Sequence, residues 1–409
     1  MLEGNCMRTD LDYLLVDADN HYYEAPDCFS RHIEATYAAG AITAQKLESG
    51  AWQVSVGDRP YHFMDVKFDA TNPPGSMVEL LRAKKADSNV EWGASYSEEN
   101  MKPAFKNRDA RLRLMDDQGI ERAVLLPTFG VTVESYMTGH VDQTYANLRA
   151  FNRWLEDDWG YSYQDRICAV PLLSLLSLDH ALDELDRVME AGARMVHLRP
   201  GPTGSGLSPA DPHYDAFWAR LNEAELPVAY HTADYRYAED AIAWGDDPDA
   251  GVRQMSAFQW AFLHGDRPIM ETIGALIFGN LFGRFPNLQI ASIENGSDWV
   301  HYLLTLLDKK KGLAAYGPWV GGRPKGRPSD TFLEHVSVAP FPEDDVVALI
   351  DRIGASRVLF GSDYPHPEGL AEPREYRALL EGCSAAAVRQ VLRDNTNALL
   401  GFDTVDTAS

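Results

Sequence analysis

The chain has 409 residues, 45% of them hydrophobic, with a formal net charge of −24 and a pI near 4.8. So acidic a chain is a poor partner for nucleic acid or an anionic membrane surface, and no run of 18 apolar residues offers a membrane span. The four cysteines (Cys6, Cys28, Cys168, Cys383) lie far apart without a CxxC pair, so neither a disulfide framework nor a zinc–thiolate site is expected.

The first ten residues carry no apolar signal segment, and a cytoplasmic protein is expected. The length suits one domain, 1–409, built as a barrel with insertions. Leu14 to Val16 begin a short apolar strand that ends in Asp17-Ala18-Asp19-Asn20-His21. Alternate strand residues share a face, so Asp19 and His21 can offer an oxygen and an imidazole nitrogen to one ion. Glu24 follows three residues later at the same strand end.

From about 30 to 107 the strand–helix rhythm is lost. Trp52–Val56 and Tyr61–Phe63, joined through Gly57-Asp58-Arg59-Pro60, read as a β-hairpin. An insertion of this length is expected to cover the active-site mouth or to meet another subunit. Its aromatic residues Trp52, Tyr61, Phe63 and Phe68 favour a homodimer, because they would be awkward left exposed.

Regular alternation follows. A helix near 109–118 leads to the strand Ala123–Thr128, and helix 143–160 leads to Ile167–Leu172. Helix 178–191 leads to Met195–Pro200, helix 212–225 to Pro227–His231, and a helical region 254–284 to Leu288–Glu294. Helix 297–311 leads to His335–Pro340, and helix 343–353 to Arg357–Gly361, where Gly361 is expected to turn the chain out of the strand. With the first, these make eight near-continuous apolar strands, the pattern of a parallel (β/α)8 TIM barrel with an N-terminal insertion at its mouth.

The strand ends carry the chemistry. Strand one offers Asp19 and His21, strand five His231, strand six Glu294 and strand eight Asp363, all types that bind divalent metals. Imidazole and carboxylate without thiolate suit Zn²⁺, with Mn²⁺ or Fe²⁺ as alternatives. His197, His180, His213 and His301 read as packing or surface residues. The basic loop Gly317–Ser329 reads as a solvated connector, or as a segment reaching over a neighbouring subunit.

Several stretches resemble the amidohydrolase superfamily, in the amidohydrolase-related branch that includes aminocarboxymuconate-semialdehyde decarboxylase, resorcylate-type decarboxylases and a meta-cleavage-product hydrolase. They are Val16–Glu24, Pro227–His231, Arg284-Phe285-Pro286-Asn287-Leu288, Leu359-Phe360-Gly361-Ser362-Asp363-Tyr364-Pro365-His366 and Arg393–Gly401. The resemblance implies one divalent metal held by Asp19, His21, His231 and Asp363, with Glu294 where related decarboxylases carry a proton-handling histidine. A carboxylate there suits a ligand or a base for water, so hydrolysis of an amide, ester or activated C–C bond in a small organic acid or aromatic catabolite is expected. Non-oxidative decarboxylation is the alternative. A bound metal lowers the pKa of its water to about 7, and Asp363 or Glu294 is expected to take the proton. His264 joins them as a catalytic candidate, and Arg199, Glu24 and His366 are expected to bind the substrate.

Overall fold

The computed structural model describes residues 11–81, 96–233 and 237–403; Cys6 and parts of the insertion and of the loop after strand five lie outside them. The strands are β1 (Leu15–Tyr22), β2 (Ile42–Lys46), β3 (Trp52–Val56), β4 (Arg59–Pro60), β5 (Ile120–Pro127), β6 (Ile167–Ala169), β7 (Leu172–Leu173), β8 (Val196–Leu198), β9 (Val228–His231), β10 (Ile290–Ile293) and β11 (Val336–Val338). Parallel pairing runs β1-β5-β6 on one side and β7-β8-β9-β10-β11 on the other.

Two irregular segments join these halves into a barrel. β6 and β7 are one strand interrupted at Pro171, which has no N–H for a ladder. Val170 N–H bonds to Leu125 O at 3.0 Å, and Pro171 O accepts from His197 N–H at 2.9 Å. The eighth strand, 358–364, is stitched to both neighbours: Leu359 N–H to Val338 O at 2.9 Å, and Ala18 N–H to Phe360 O at 2.8 Å. The eight barrel segments each bring a residue to the closed interior, where Ala18, Val124, Cys168, Met195, Ala229, Ala291, Ala339 and Leu359 pack together, all nearly or fully buried. The larger second core lies between strands and helices.

Helix Arg108–Gln118 shows how local sequence sets the elements: the Asn107 side chain accepts from Ala110 N–H at its start, and Gly119, left-handed at φ 68°, ends it. Other boundaries differ from expectation. The helical region 254–284 is split into a π-helix (Gln259–His264), helix Arg267–Phe278 and a short turn (Leu281–Arg284), because Gly265 and the left-handed Asn280 break it. Helices Ala238–Trp244 and Pro328–His335 were not expected, and the second runs up to the start of the expected strand at His335. β3 is the middle strand of this sheet: the expected hairpin forms, with its return strand starting earlier at Arg59–Pro60 and Tyr61 N–H bonding to Val54 O at 2.9 Å, while β2 pairs on the other edge and was not expected.

The insertion's aromatics are also differently placed. Tyr61, Phe63 and Phe68 are buried within their own subunit, and Trp52 packs edge-on against Phe68 at 5.0 Å. The reason for putting a dimer interface there is therefore gone. No helix among the described residues is long and apolar enough to cross a membrane.

Candidate metal centre

Asp19, His21, His231, Glu294 and Asp363 meet at the C-terminal mouth of the barrel. From His21 Nε2 the distances are 3.2 Å to Asp19 Oδ1, 3.3 Å to Glu294 Oε2 and 3.3 Å to Asp363 Oδ1. His231 Nε2 lies 2.7 Å from Glu294 Oε2 and 4.0 Å from Asp19 Oδ1. The parallel strands point these ends inward, and the backbone aims two of them: Glu294 and Asp363 both have φ 52°. A left-handed non-glycine residue is uncommon, and such conformations gather at functional sites.

The donor set fits a divalent cation. His231 Nδ1 is taken by the carbonyl of Thr232 at 2.7 Å, which places the proton there and leaves Nε2 as a lone pair. That Nε2 and Glu294 Oε2 are both buried without a hydrogen bond of acceptable geometry, although 2.7 Å apart. Both face the same small space. The charges agree: burial and the carboxylates of Glu294, Glu368 and Asp19 hold Asp363 well above the usual carboxylate range. Burial opposes charge on His21, yet Asp19 and Glu294 overcome it and lift its pKa to about 10. Burial likewise opposes ionisation of Glu294, but His231 and His21 hold it well below its ordinary value. Crowded buried carboxylates of this kind call for a cation among them.

His366 sits closer than its expected role as a substrate contact. Its Nδ1 is 2.7 Å from Asp363 Oδ1, its ring stacks on His21 at 4.0 Å, and Thr128 Oγ1 lies 2.9 Å from its Nε2. It shares a second potential donor group with His21, Glu294 and Asp363. The Asp-x-x-His spacing in a proline-stiffened loop carries that signal. Thr128 ends its own strand as the ligands do, but a hydroxyl did not enter the count of metal-binding types.

Beneath the site Asp17, fully buried, ties strand one to strand eight. It accepts from Ser362 N–H at 3.0 Å, Asp19 N–H at 3.1 Å, Asn20 Nδ2 at 3.0 Å and Ser362 Oγ at 2.5 Å. Arg111, also buried, donates to the carbonyls of His21 at 2.6 Å and Ala104 at 2.7 Å and to the Asn20 side chain. Gly361 does not have the turning conformation expected of it. Its hydrogen makes room for a ligand, since a Cβ there would stand 2.6 Å from Asp19 Cβ.

A cavity of about 470 Å³ opens from this centre. His264, in the π-helix, lines its far wall, its ring stacked between Phe63 at 5.6 Å and Trp260 at 5.2 Å. Burial lowers its pKa. Lys67, 3.2 Å from Asp65, and Arg253 also line the cavity. Glu24 borders the cavity, but one oxygen is committed to the N–H groups of Phe129 and Gly130, each at 2.8 Å, and so fixes the loop after β5. Arg199 is not with the others. It lines a separate small cavity beside Glu134, 3.8 Å away, and donates to Pro202 O. His197 is buried on the barrel strand as packing.

A closed (β/α)8 barrel with an imidazole–carboxylate cation site at its C-terminal mouth defines a class, the metal-dependent barrel enzymes. The amidohydrolase family profile matches residues 16–402, and the chain belongs to that family. An amidohydrolase from Mycobacterium avium subsp. paratuberculosis K-10 is similar at 37% identity, covering 96% of this chain and 100% of its own, with a TM-score of 0.86. A dihydroxybenzoic acid decarboxylase from Polaromonas sp. JS666, solved with manganese and 2-nitroresorcinol, is 16% identical over 95% of this chain and 97% of its own, at a TM-score of 0.60. A 5-carboxyvanillate decarboxylase from Novosphingobium aromaticivorans DSM 12444, solved with manganese, is 17% identical over 96% and 97%, also at 0.60. At such identities the two decarboxylases speak for the fold alone. Comparison with curated proteins yields no match.

Proposed function

We propose that this protein is a metal-dependent hydrolase acting on an amide, ester or activated C–C bond of a small organic acid or aromatic compound. The observation that carries the reading is the Glu294 carboxylate at the end of strand six, 2.7 Å from His231 Nε2. A carboxylate held ionised beside a cation is a ligand or a base, which suits the activation of water and not the protonation of carbon. Asp19, His21, His231, Glu294 and Asp363 would hold one divalent ion, zinc or, given three carboxylates, manganese. When bound, that ion supplies Lewis acidity at the substrate carbonyl and a more acidic water. Asp363 takes the proton of the attacking water, and His366, 2.7 Å away and steadied by Thr128, receives or returns it. The stacked rings of Phe63 and His264 offer a flat apolar wall to the substrate's body, and Lys67 and Arg253 suit its acid group.

A second reading, non-oxidative decarboxylation, is favoured by one observation: His366 places in the cavity an imidazole able to deliver a proton to carbon. A substrate panel followed for CO₂ release and for ¹⁸O uptake from water tells the two apart, using wild type, Glu294→Gln and His366→Asn. Hydrolysis predicts ¹⁸O in the product, loss of turnover on metal removal, and a fall in kcat of about 100-fold or more in Glu294→Gln. Metal-dependent CO₂ release without ¹⁸O, lost in His366→Asn, overturns it in favour of the decarboxylase.

A further inference from the structure

Some buried polar atoms of the residues lining the cavity make no hydrogen bond within the protein. Two of them, Glu294 Oε2 and His231 Nε2, face the space for the cation. Asn72 Oδ1 is another, and it belongs to the insertion and not to the metal centre. Asn72 is only 5% exposed. A buried acceptor without a donor is destabilising, and each such exception calls for a group that completes it.

The backbone on both sides of Asn72 is pinned. Thr71 and Ser97 exchange backbone hydrogen bonds at 3.2 and 3.1 Å, and Pro73 and Pro74 follow with φ fixed by their rings. Beyond them Gly75 N–H bonds to His366 O at 3.2 Å, and Met77 N–H bonds to Pro367 O at 2.7 Å. This stretch of the insertion is thereby fastened to the loop after strand eight. The Thr71 hydroxyl also lies 2.5 Å from that of Tyr23, whose ring stands edge-on to His366 at 6.0 Å. Asn72 therefore borders the cavity on the side of His366 and the metal centre, away from the far wall formed by His264.

The bonds open to the reaction differ in what they bring to such an oxygen. A secondary amide carries an N–H beside its carbonyl. An ester carries an oxygen there, which sets acceptor against acceptor, and a C–C bond brings no polar hydrogen. We propose, resting on the hydrolase reading, that Asn72 is a specificity-determining residue. Its Oδ1 accepts from the N–H next to a carbonyl held at the metal, and so selects an amide over an ester or a carbon leaving group. A site built to pair with a substrate's donor discriminates strongly against an analogue without it, because its own buried group is then left unpaired.

The test measures binding and is independent of turnover. Benzohydroxamate offers a metal-binding carbonyl with an N–H beside it; N-methylbenzohydroxamate keeps the chelating oxygens and lacks the N–H. Each is titrated calorimetrically into wild type and Asn72→Leu, loaded with zinc and, separately, with manganese. Leucine keeps the branched shape of asparagine and removes the acceptor. The dissociation constant of benzohydroxamate is expected to rise about tenfold or more in Asn72→Leu, while that of the N-methyl probe stays within about twofold. Equal losses for both probes, the mark of a merely structural role, would overturn the proposal. So would an unchanged affinity for benzohydroxamate, or a wild type that does not favour it over the N-methyl probe. Should Asn72→Leu lose its circular dichroism, Asn72→Ala carries the same comparison. Failure of the hydrolase reading would show elsewhere, as CO₂ release without ¹⁸O uptake in the substrate panel, and not in these affinities.

Discussion

Gly361→Ala is the smallest change that reaches the metal centre from outside the ligand set. The added methyl carbon would stand 2.6 Å from Asp19 Cβ and 3.5 Å from Ala339 Cβ. Carbon atoms rest at about 3.5–4.0 Å, so Asp19 must yield by roughly 1 Å, and overpacking of this kind costs about 1–3 kcal/mol. Ligand distances tolerate only about 0.2 Å. Asp19 is thereby lost to the ion, and metal affinity is expected to fall by about 10- to 100-fold. The assay is metal content after dialysis against a graded chelator, paired with urea unfolding of the metal-free protein. Asp19→Gly, which removes the obstructed Cβ, should recover most of the lost stability in the double variant while leaving metal binding poor, and that non-additivity measures the contact. Native metal affinity and an unchanged urea midpoint in Gly361→Ala would refute the reasoning.

Other expectations follow from the same geometry. Removing the ion leaves buried carboxylates facing one another, so the melting temperature should fall on chelation and rise again with added metal in proportion to the logarithm of its concentration, as differential scanning calorimetry would record. Asn152, fully buried, bonds both backbone groups of Leu172, accepting from its N–H at 2.8 Å and donating to its carbonyl at 2.9 Å. Asn152→Ala should cost about 2–4 kcal/mol in urea unfolding, and a loss below half a kcal/mol would contradict that. Burial raises Asp344 to about 6, where its Oδ2 accepts from Ser297 Oγ and Phe341 N–H. A carboxyl whose folded pKa exceeds its unfolded value near 4 favours folding when protonated, and that contribution is lost as pH rises from about 4 through 6. Asp344→Asn should therefore match wild type near pH 4 and unfold at higher urea at pH 7.5; equal midpoints at both pH values would refute this.

The barrel was legible because its strands are buried on both faces and read as short apolar runs, each closed by a residue with chemistry to offer. The cluster at the barrel mouth was legible for the same reason: imidazole and carboxylate at strand ends stand out against an apolar background. Arg199 lies just past β8, which stops at Leu198, and the chain beyond it carries the side chain to a separate cavity beside Glu134, a turn that no local pattern announces. β2 escaped notice because it is an edge strand with one buried residue in five, so its sequence shows no two-residue period. The position of His366 depends on how the loop after strand eight folds back over His21, a long-range fact with no local pattern.

The knot between Asp17 and Ser362 joins residues 345 apart in the chain. Synthesis runs from the N-terminus at about 5–20 residues per second, so His21 leaves the ribosome some tens of seconds before Asp363. During that interval the nascent chain carries half a chelating site, with no eighth strand to hold it in shape. On the proposed reading, a complete metal centre with Asp363 and His366 waits for about the last eighth of the chain. A ribosome stalled before residue 357 would display most of the barrel with a centre unable to retain its ion.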